Sequence, residues 1–167
     1  MPVYLIVAIV IAVYLFVYFV FFTFFRARLR RPEQKIIDIF LAKVAKIPSL
    51  IEVMRAEVVD EKAFDVITKL HSGAMIYKYD SIYSLLENNK KIHDEFGFLM
   101  KLSMQIPSLQ KNELFVYIRD FIIKYERNMK KDFSAYNSAV NTWNTFVKIK
   151  NFTILGLILP GSRREKI

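Results

Sequence analysis

Residues 115–147, FVYIRDFIIKYERNMKKDFSAYNSAVNTWNTFV, decide how this chain folds. Their apolar positions are Phe115, Ile118, Ile122, Tyr125, Met129, Phe133, Tyr136, Val140, Trp143 and Val147, advancing by steps of 3, 4, 3, 4, 4, 3, 4, 3 and 4. This is the period of one helix face, not of a strand. A seam of this length must be covered by other long helices, so it predicts antiparallel helices packed side by side with coiled-coil-like contacts.

Upstream stretches carry the same period. Ile37, Phe40, Val44, Ile47, Ile51, Met54 and Val58 form a seam that Phe64, Ile67 and Leu70 continue less regularly. It follows Pro32, a natural first helical residue, and Ser72-Gly73 predicts its end. A second stretch carries Ile82, Leu86, Ile92, Phe96, Leu99 and Leu102, and Pro107 ends it. The tetrapeptide IPSL occurs at 47–50 and again at 106–109. Pro107 precedes polar residues and predicts a loop. Pro48 lies inside a periodic run and predicts a kink, at about 3 kcal/mol if fully interior. Glycine occurs four times and no Asn-Gly or Asp-Gly hairpin turn is present. The predicted fold class is all-α: a transmembrane helix followed by a bundle of three to four long antiparallel helices.

The transmembrane helix is read from residues 3–25, VYLIVAIVIAVYLFVYFVFFTFF, which contain no charge, amide, glycine or proline. A bilayer core about 30 Å thick needs roughly 20 such residues as a helix. No Lys or Arg precedes the run and no A-x-A-like site follows it, so it predicts a retained anchor rather than a cleaved signal peptide. Arg26, Arg28, Arg30 and Arg31 follow at once. Positive flanks stay in the cytoplasm, so the N-terminus is predicted outside and the C-terminal domain inside the cell membrane. The segments are then 1–25 anchor, 26–34 basic juxtamembrane stretch, 35–151 cytoplasmic helical bundle and 152–167 apolar then basic tail.

The net charge of +9 invites a nucleic-acid reading, and its distribution argues against one. Between residues 32 and 162 there are 18 basic and 15 acidic residues, so most of the excess sits at the four arginines and the tail. Anionic lipid is the partner predicted for the arginine cluster, and no nucleic acid. The absence of cysteine excludes disulfide and thiol chemistry. His71 and His93 lack the Glu-x-x-His spacing of bundle metal sites, and phosphate-loop, dinucleotide, zincin and nucleophile-elbow motifs are missing. No enzyme, metal or cofactor is predicted.

One polar pattern remains. Glu126, Asn137 and Asn144 lie, with Phe133 and Val140 between them, in a stripe beside the Tyr125–Tyr136–Trp143 seam. It reads either as the wet flank of an amphipathic helix or as inter-helix hydrogen bonding that pins register. In the second reading Asn137 and Tyr136 are largely buried, and Asn137 bonds to the helix containing Glu61.

These residues also carry a resemblance. YNSAVNTWNTF at 136–146 resembles the YN-x-x-V-x-x-[YW]-N-T stretch of the bacterial LemA family. IPSLIEVMR at 47–55 is similar to its IPNLVE segment, with Glu61 at its next glutamate. PSLQKNELF at 107–115 is similar to its P-x-L-K-A-x-x-x-F stretch, and Glu126 matches a glutamate ahead of YN. The resemblance covers residues 35–147 in spaced pieces. It implies a single anchor, a cytoplasmic bundle of antiparallel helices and no established biochemical activity. Two departures stand out: Phe133 replaces a common arginine, removing a partner for Glu126, and Lys150-Asn151 replaces Phe-Pro.

Two functional readings follow. The first is a membrane-tethered scaffold or interaction module with an unidentified protein partner. The second is a membrane-organising protein that forms homo-oligomers and gathers anionic lipid. The tail is predicted by helix count. Residues 33–72 as one helix of about 60 Å would lead away from the membrane, the segment to 105 would return, and 112–151 would lead away again. Ile154, Leu155, Leu157, Ile158 and Leu159 should then fold onto the distal end beside Ser72-Gly73, leaving Arg163, Arg164 and Lys166 exposed.

Overall fold

A computed structural model describes residues 2–58, 61–76, 82–153 and 159–167, and all regular structure among them is helical. The helices are α1 (Val3–Val44), α2 (Ile47–Arg55), α3 (Asp65–Ile76), α4 (Ile82–Met104), α5 (Pro107–Lys111) and α6 (Glu113–Lys150), with a 3-10 turn at Glu61–Phe64. Two compact units form. One comprises Gln34–Asp132; the other joins Met1–Glu33 to Phe133–Ile167 and so cuts across the segments read from the sequence.

Within Gln34–Asp132 the core is a layered apolar seam. Ile36, Phe40 and Val44 of α1, Leu50 and Met54 of α2, Phe64, Ile67, Leu85, Leu99, Phe115 and Ile122 are all buried. Each fully buried side chain of this size contributes roughly 1.5–3 kcal/mol against exposure. α2 packs on α3, α3 on α4, and α4 on α5.

The prolines explain the breaks. The hydrogen-bond ladder of α1 tightens at Lys46, whose N–H bonds Lys43 O at 3.1 Å, and α2 restarts with Pro48 in its first turn. A proline there lacks only an N–H that a helix start leaves free. Pro48 therefore divides the helix at an Ala45–Lys46 turn rather than bending it. Pro107 likewise opens the short helix α5 where a loop was predicted. The repeated IPSL thus has one structural role: proline in the first turn, and Leu50 and Leu109 fully buried.

Two predicted boundaries are overturned. Pro32 lies inside α1, which runs from the apolar stretch onward without a new start. Ser72-Gly73 does not stop a helix: α3 continues to Ile76, and the Ser72 hydroxyl donates to Thr68 O at 3.0 Å, satisfying it within the helix.

The long outgoing helix expected over 33–72 is instead the end of α1, then α2 and, reversing direction, α3. α2 ends at Arg55, and α3 packs back against it. Lys43 then meets Asn89 while Ser108 meets Glu57, so α4 runs parallel to α1–α2. α6 returns antiparallel, with Glu126 at Lys43 and Asp132 at Lys35. Four passes (α1–α2, α3, α4, α6) replace the three that were counted.

In the other unit, α6 lies antiparallel along the apolar part of α1. Phe146 stacks on Tyr18 with ring centroids 5.7 Å apart and sits 5.1 Å from Phe25, while Trp143 is 5.6 Å from Phe22. The tail follows. Pro160 O accepts from the Tyr18 hydroxyl, and Leu159 and Pro160 lie against Leu15, Phe16, Phe19 and Phe22. The docking predicted for Leu159 therefore does not form: within this unit Leu159 and Pro160 cover the apolar part of α1. Ile154, Leu155, Leu157 and Ile158, named in the same expectation, lie outside the described residues.

Gly97 occupies the middle of α4 with open space where a Cβ would stand, whereas Gly161 has φ 127°. Gly97→Ala should stabilise the purified chain by about 0.5–1 kcal/mol by reducing unfolded-state freedom, and Gly161→Ala should destabilise it. Thermal unfolding followed by circular dichroism reads both; a lowered midpoint for Gly97→Ala would contradict the packing of α4.

Candidate functional site

Three groups of polar residues stand out in the structure, and each meets different surroundings. The first is built on α1, α4 and α6 within Gln34–Asp132. Lys43 is 1% exposed, and its ammonium donates to Asn89 Oδ1 at 2.7 Å and Glu126 Oε1 at 3.0 Å. His93 Nδ1 lies 2.9 Å from the same carboxylate oxygen. A carboxylate only accepts, so Nδ1 carries the proton of that bond.

Burial lowers the Lys43 pKa, with the neighbouring Glu126 charge and hydrogen bond opposing it. Burial alone would raise Glu126, but the Lys43 charge and the bonds from His93 and Lys43 outweigh it and hold the carboxyl below its ordinary 4.5. The Glu126 partner that Phe133 was expected to remove is thus supplied by Lys43. The seam reading passes over Lys43 because it steps by four from Phe40 to Val44. Counting three rather than four from Phe40 lands on Lys43, and a lysine at a seam position is itself a signal for a buried acid.

The second group lies on the last turns of α6. Asn137 was expected to bond the helix of Glu61. It is half-buried, and both its amide atoms engage Ile167 main chain: Nδ2 donates to Ile167 O, and Ile167 N–H donates to Oδ1 at 2.8 Å. Asn144 repeats the arrangement on Arg164, with bonds of 2.7 and 2.8 Å. Trp143 Nε1 donates to Ser162 O at 2.8 Å, and Lys150 Nζ donates to Leu159 O and Gly161 O at 2.7 and 3.1 Å. Tyr136 is fully buried, and Glu61 is exposed on the 3-10 turn. The stripe is therefore not one network. Glu126 belongs to the lysine site, Asn137 and Asn144 hold the tail, and Glu61 stands apart from both.

The third group is Arg26, Arg28, Arg30 and Arg31, all exposed, with the Arg26 guanidinium 5.9 Å from the Phe22 ring centroid. At about 100° per residue the four occupy a little over half of the helix circumference. The remaining sector contains Leu29, which is buried, and below it Phe25, Phe22, Tyr18 and Tyr14. This stripe, with steps of 4, 3, 4 and 4 when read downward, is the face that α6 and the tail cover. Sequence reading missed it because the run carries no charge or amide, so hydropathy does not separate a covered side from an exposed one. The two tyrosines were the available signal.

The lysine site yields a test. Glu126→Ala leaves a buried ammonium with Asn89 alone, and breaking a buried pair this way costs about 3–5 kcal/mol. Adding Lys43→Met should recover more than half of that loss, measured as unfolding free energy in a double-mutant cycle; additive losses would refute the pairing. The lowered Glu126 pKa also fixes a pH dependence. Its stabilisation is complete above 4.5 and disappears as pH falls through the lower folded-state value, since the unfolded carboxyl binds its proton first. Glu126→Gln should flatten the acid limb of the stability profile.

The sequence model of the LemA family matches residues 34–156, well over half of the chain. No curated protein matches it. With the spaced motifs, the helical bundle and this match in agreement, the chain belongs to the LemA family.

Proposed function

We propose that this protein is a membrane-anchored, non-enzymatic interaction module, with its N-terminus outside the cell membrane and the Gln34–Asp132 bundle in the cytoplasm. The observation that carries the reading is the composition of α1. It contains a stretch long and apolar enough to cross a membrane, exposed throughout 3–13, and it ends in the exposed arginine collar. A collar of guanidinium groups at the end of a span suits anionic headgroups and holds that end in the cytoplasm.

α6 and the tail accompany the span to the level of Tyr14, where Thr153 Oγ1 lies 2.6 Å from the tyrosine oxygen. Their exposed apolar side chains support a lipid-contacting role: Ile149 is 64% and Phe152 81% exposed. The buried Lys150 ammonium finds carbonyls rather than lipid, as polar groups at membrane depth require. A protein partner is favoured over catalysis because the charged groups that meet in the bundle are engaged in structural pairs. The LemA family is also not a known enzyme family. A second reading, in which the chain organises membrane through homo-oligomers and anionic lipid, draws on the same collar and on Ala8 and Ala12, an exposed small-xxx-small pair.

The chain has no cysteine, so single cysteines test topology cleanly. In intact cells an impermeant thiol reagent should label Pro2→Cys and spare Lys90→Cys; the reverse pattern would end this orientation. Cross-linking in native membranes separates the two readings, with heterologous partners expected and homo-oligomers alone favouring the second. Replacing the four arginines by glutamine should give mixed orientation.

A further inference from the structure

Among the described residues, seven hydrogen bonds join side chains of α6 to the main chain of residues 159–167. Side chains of α6 bond the carbonyls of Leu159, Gly161, Ser162, Arg164 and Ile167 and the N–H groups of Arg164 and Ile167. The side chains from Ser162 to Lys166 are exposed, and the Arg164 guanidinium reaches Glu33 at 3.3 Å.

The spacing has a simple origin. Asn137 and Asn144 are two helical turns apart, about 10.5 Å along α6. Arg164 and Ile167 are three residues apart, about 10 Å in extended chain. The asparagine face of α6 therefore meets Arg164 and Ile167, three residues apart, with both a donor and an acceptor at each. Nothing in those bonds depends on the side chain being read.

We propose that the α6 face bearing Asn137, Trp143, Asn144 and Lys150 is a binding site for an extended peptide, that residues 159–167 occupy it within the chain, and that the same segment of a second copy exchanges with them. Two observations favour an exchangeable occupant. Lys150 is buried and takes its carbonyl partners from the segment, so a vacated site leaves an ammonium that the same carbonyls of another copy would satisfy. The segment that fits best is the one already seated, with Leu159 and Pro160 on the aromatic face of α1 and Arg164 at Glu33, and every neighbouring copy carries it.

This inference gives the interaction reading a site and rests on it for its cellular meaning, but the two fail separately. The test uses the full chain in lipid nanodiscs and a fluorescent peptide of residues 159–167, LPGSRREKI. Arg164→Pro removes the N–H that Asn144 accepts and loosens the resident segment. The peptide should bind this variant saturably and at least tenfold more tightly than the native chain. Arg164→Ala keeps the N–H and loses only the partly exposed contact to Glu33, so it should bind the peptide far more weakly than Arg164→Pro. Adding Asn137→Ala and Asn144→Ala to Arg164→Pro should abolish binding while circular dichroism shows unchanged helix. Exchange is read by co-reconstituting Ser138→Cys and Lys166→Cys copies, which should form a disulfide between copies that is lost on Asn137→Ala/Asn144→Ala. Equal peptide binding by all variants, or none by Arg164→Pro, would overturn the site. Peptide binding without a disulfide between copies would overturn the exchange. Either failure beside an intact heterologous cross-link leaves the interaction reading standing.

Discussion

A lysine ammonium with 1% exposure tolerates very few arrangements of its neighbours. Removed from water, it needs an acid and further acceptors within bonding distance, and in the bundle these come from two other helices. Asn89 on α4 and Glu126 on α6 meet at Lys43 on α1, and His93 supplies the second bond to the carboxylate. The apolar layers around this point, from Ile36 to Ile122, contribute the greater part of the stability but would accept sliding by a turn. The ion pair would not, because a shift of about 5.4 Å leaves a buried charge alone. Register within Gln34–Asp132 is thus pinned by the buried contact at Lys43, with Lys35–Asp132 a further pair between α1 and α6.

The second unit solves a different problem with similar means. A non-helical segment laid along a helix exposes carbonyls and N–H groups that have no ladder of their own. α6 supplies side chains at intervals that match an extended chain, so the main chain of residues 159–167 is bonded without forming a strand. The aromatic stripe of α1 receives the apolar end of that segment, and the arginine collar occupies the circumference left over. The same helix therefore presents an unpartnered apolar surface over 3–13 and a covered aromatic face beside it.

Much of this was legible in residue order. The 3-4 spacing of Phe115 to Val147 predicted one long helix, and α6 spans Glu113–Lys150. The arginine boundary and the apolar run predicted a membrane-competent helix, and the spaced YN, IPSL and PSLQ motifs pointed to the family. What failed were boundaries. Pro32 was expected to begin a helix and lies within one, Ser72-Gly73 was expected to end one and is crossed by one, and the chain reverses after Arg55 where periodicity seemed to continue. Local propensity is worth about 1 kcal/mol at a glycine and about 3 kcal/mol at an interior proline, and packing of an apolar face outweighs it.

The sequence by itself determined the helical period, the position of the apolar run, the concentration of positive charge beside it and membership of the family. These depend on spacing along one chain, which is fully written in the order of residues. Tertiary structure alone decided how many times the chain reverses, which acid meets Lys43, and that the asparagines of α6 grip main chain rather than another helix. Each of those is a meeting of residues far apart in sequence, from 20 to 83 positions for the bonds concerned. An asparagine carries the same donor and acceptor whether a helix, water or an extended strand lies opposite, so only the folded neighbour assigns its role.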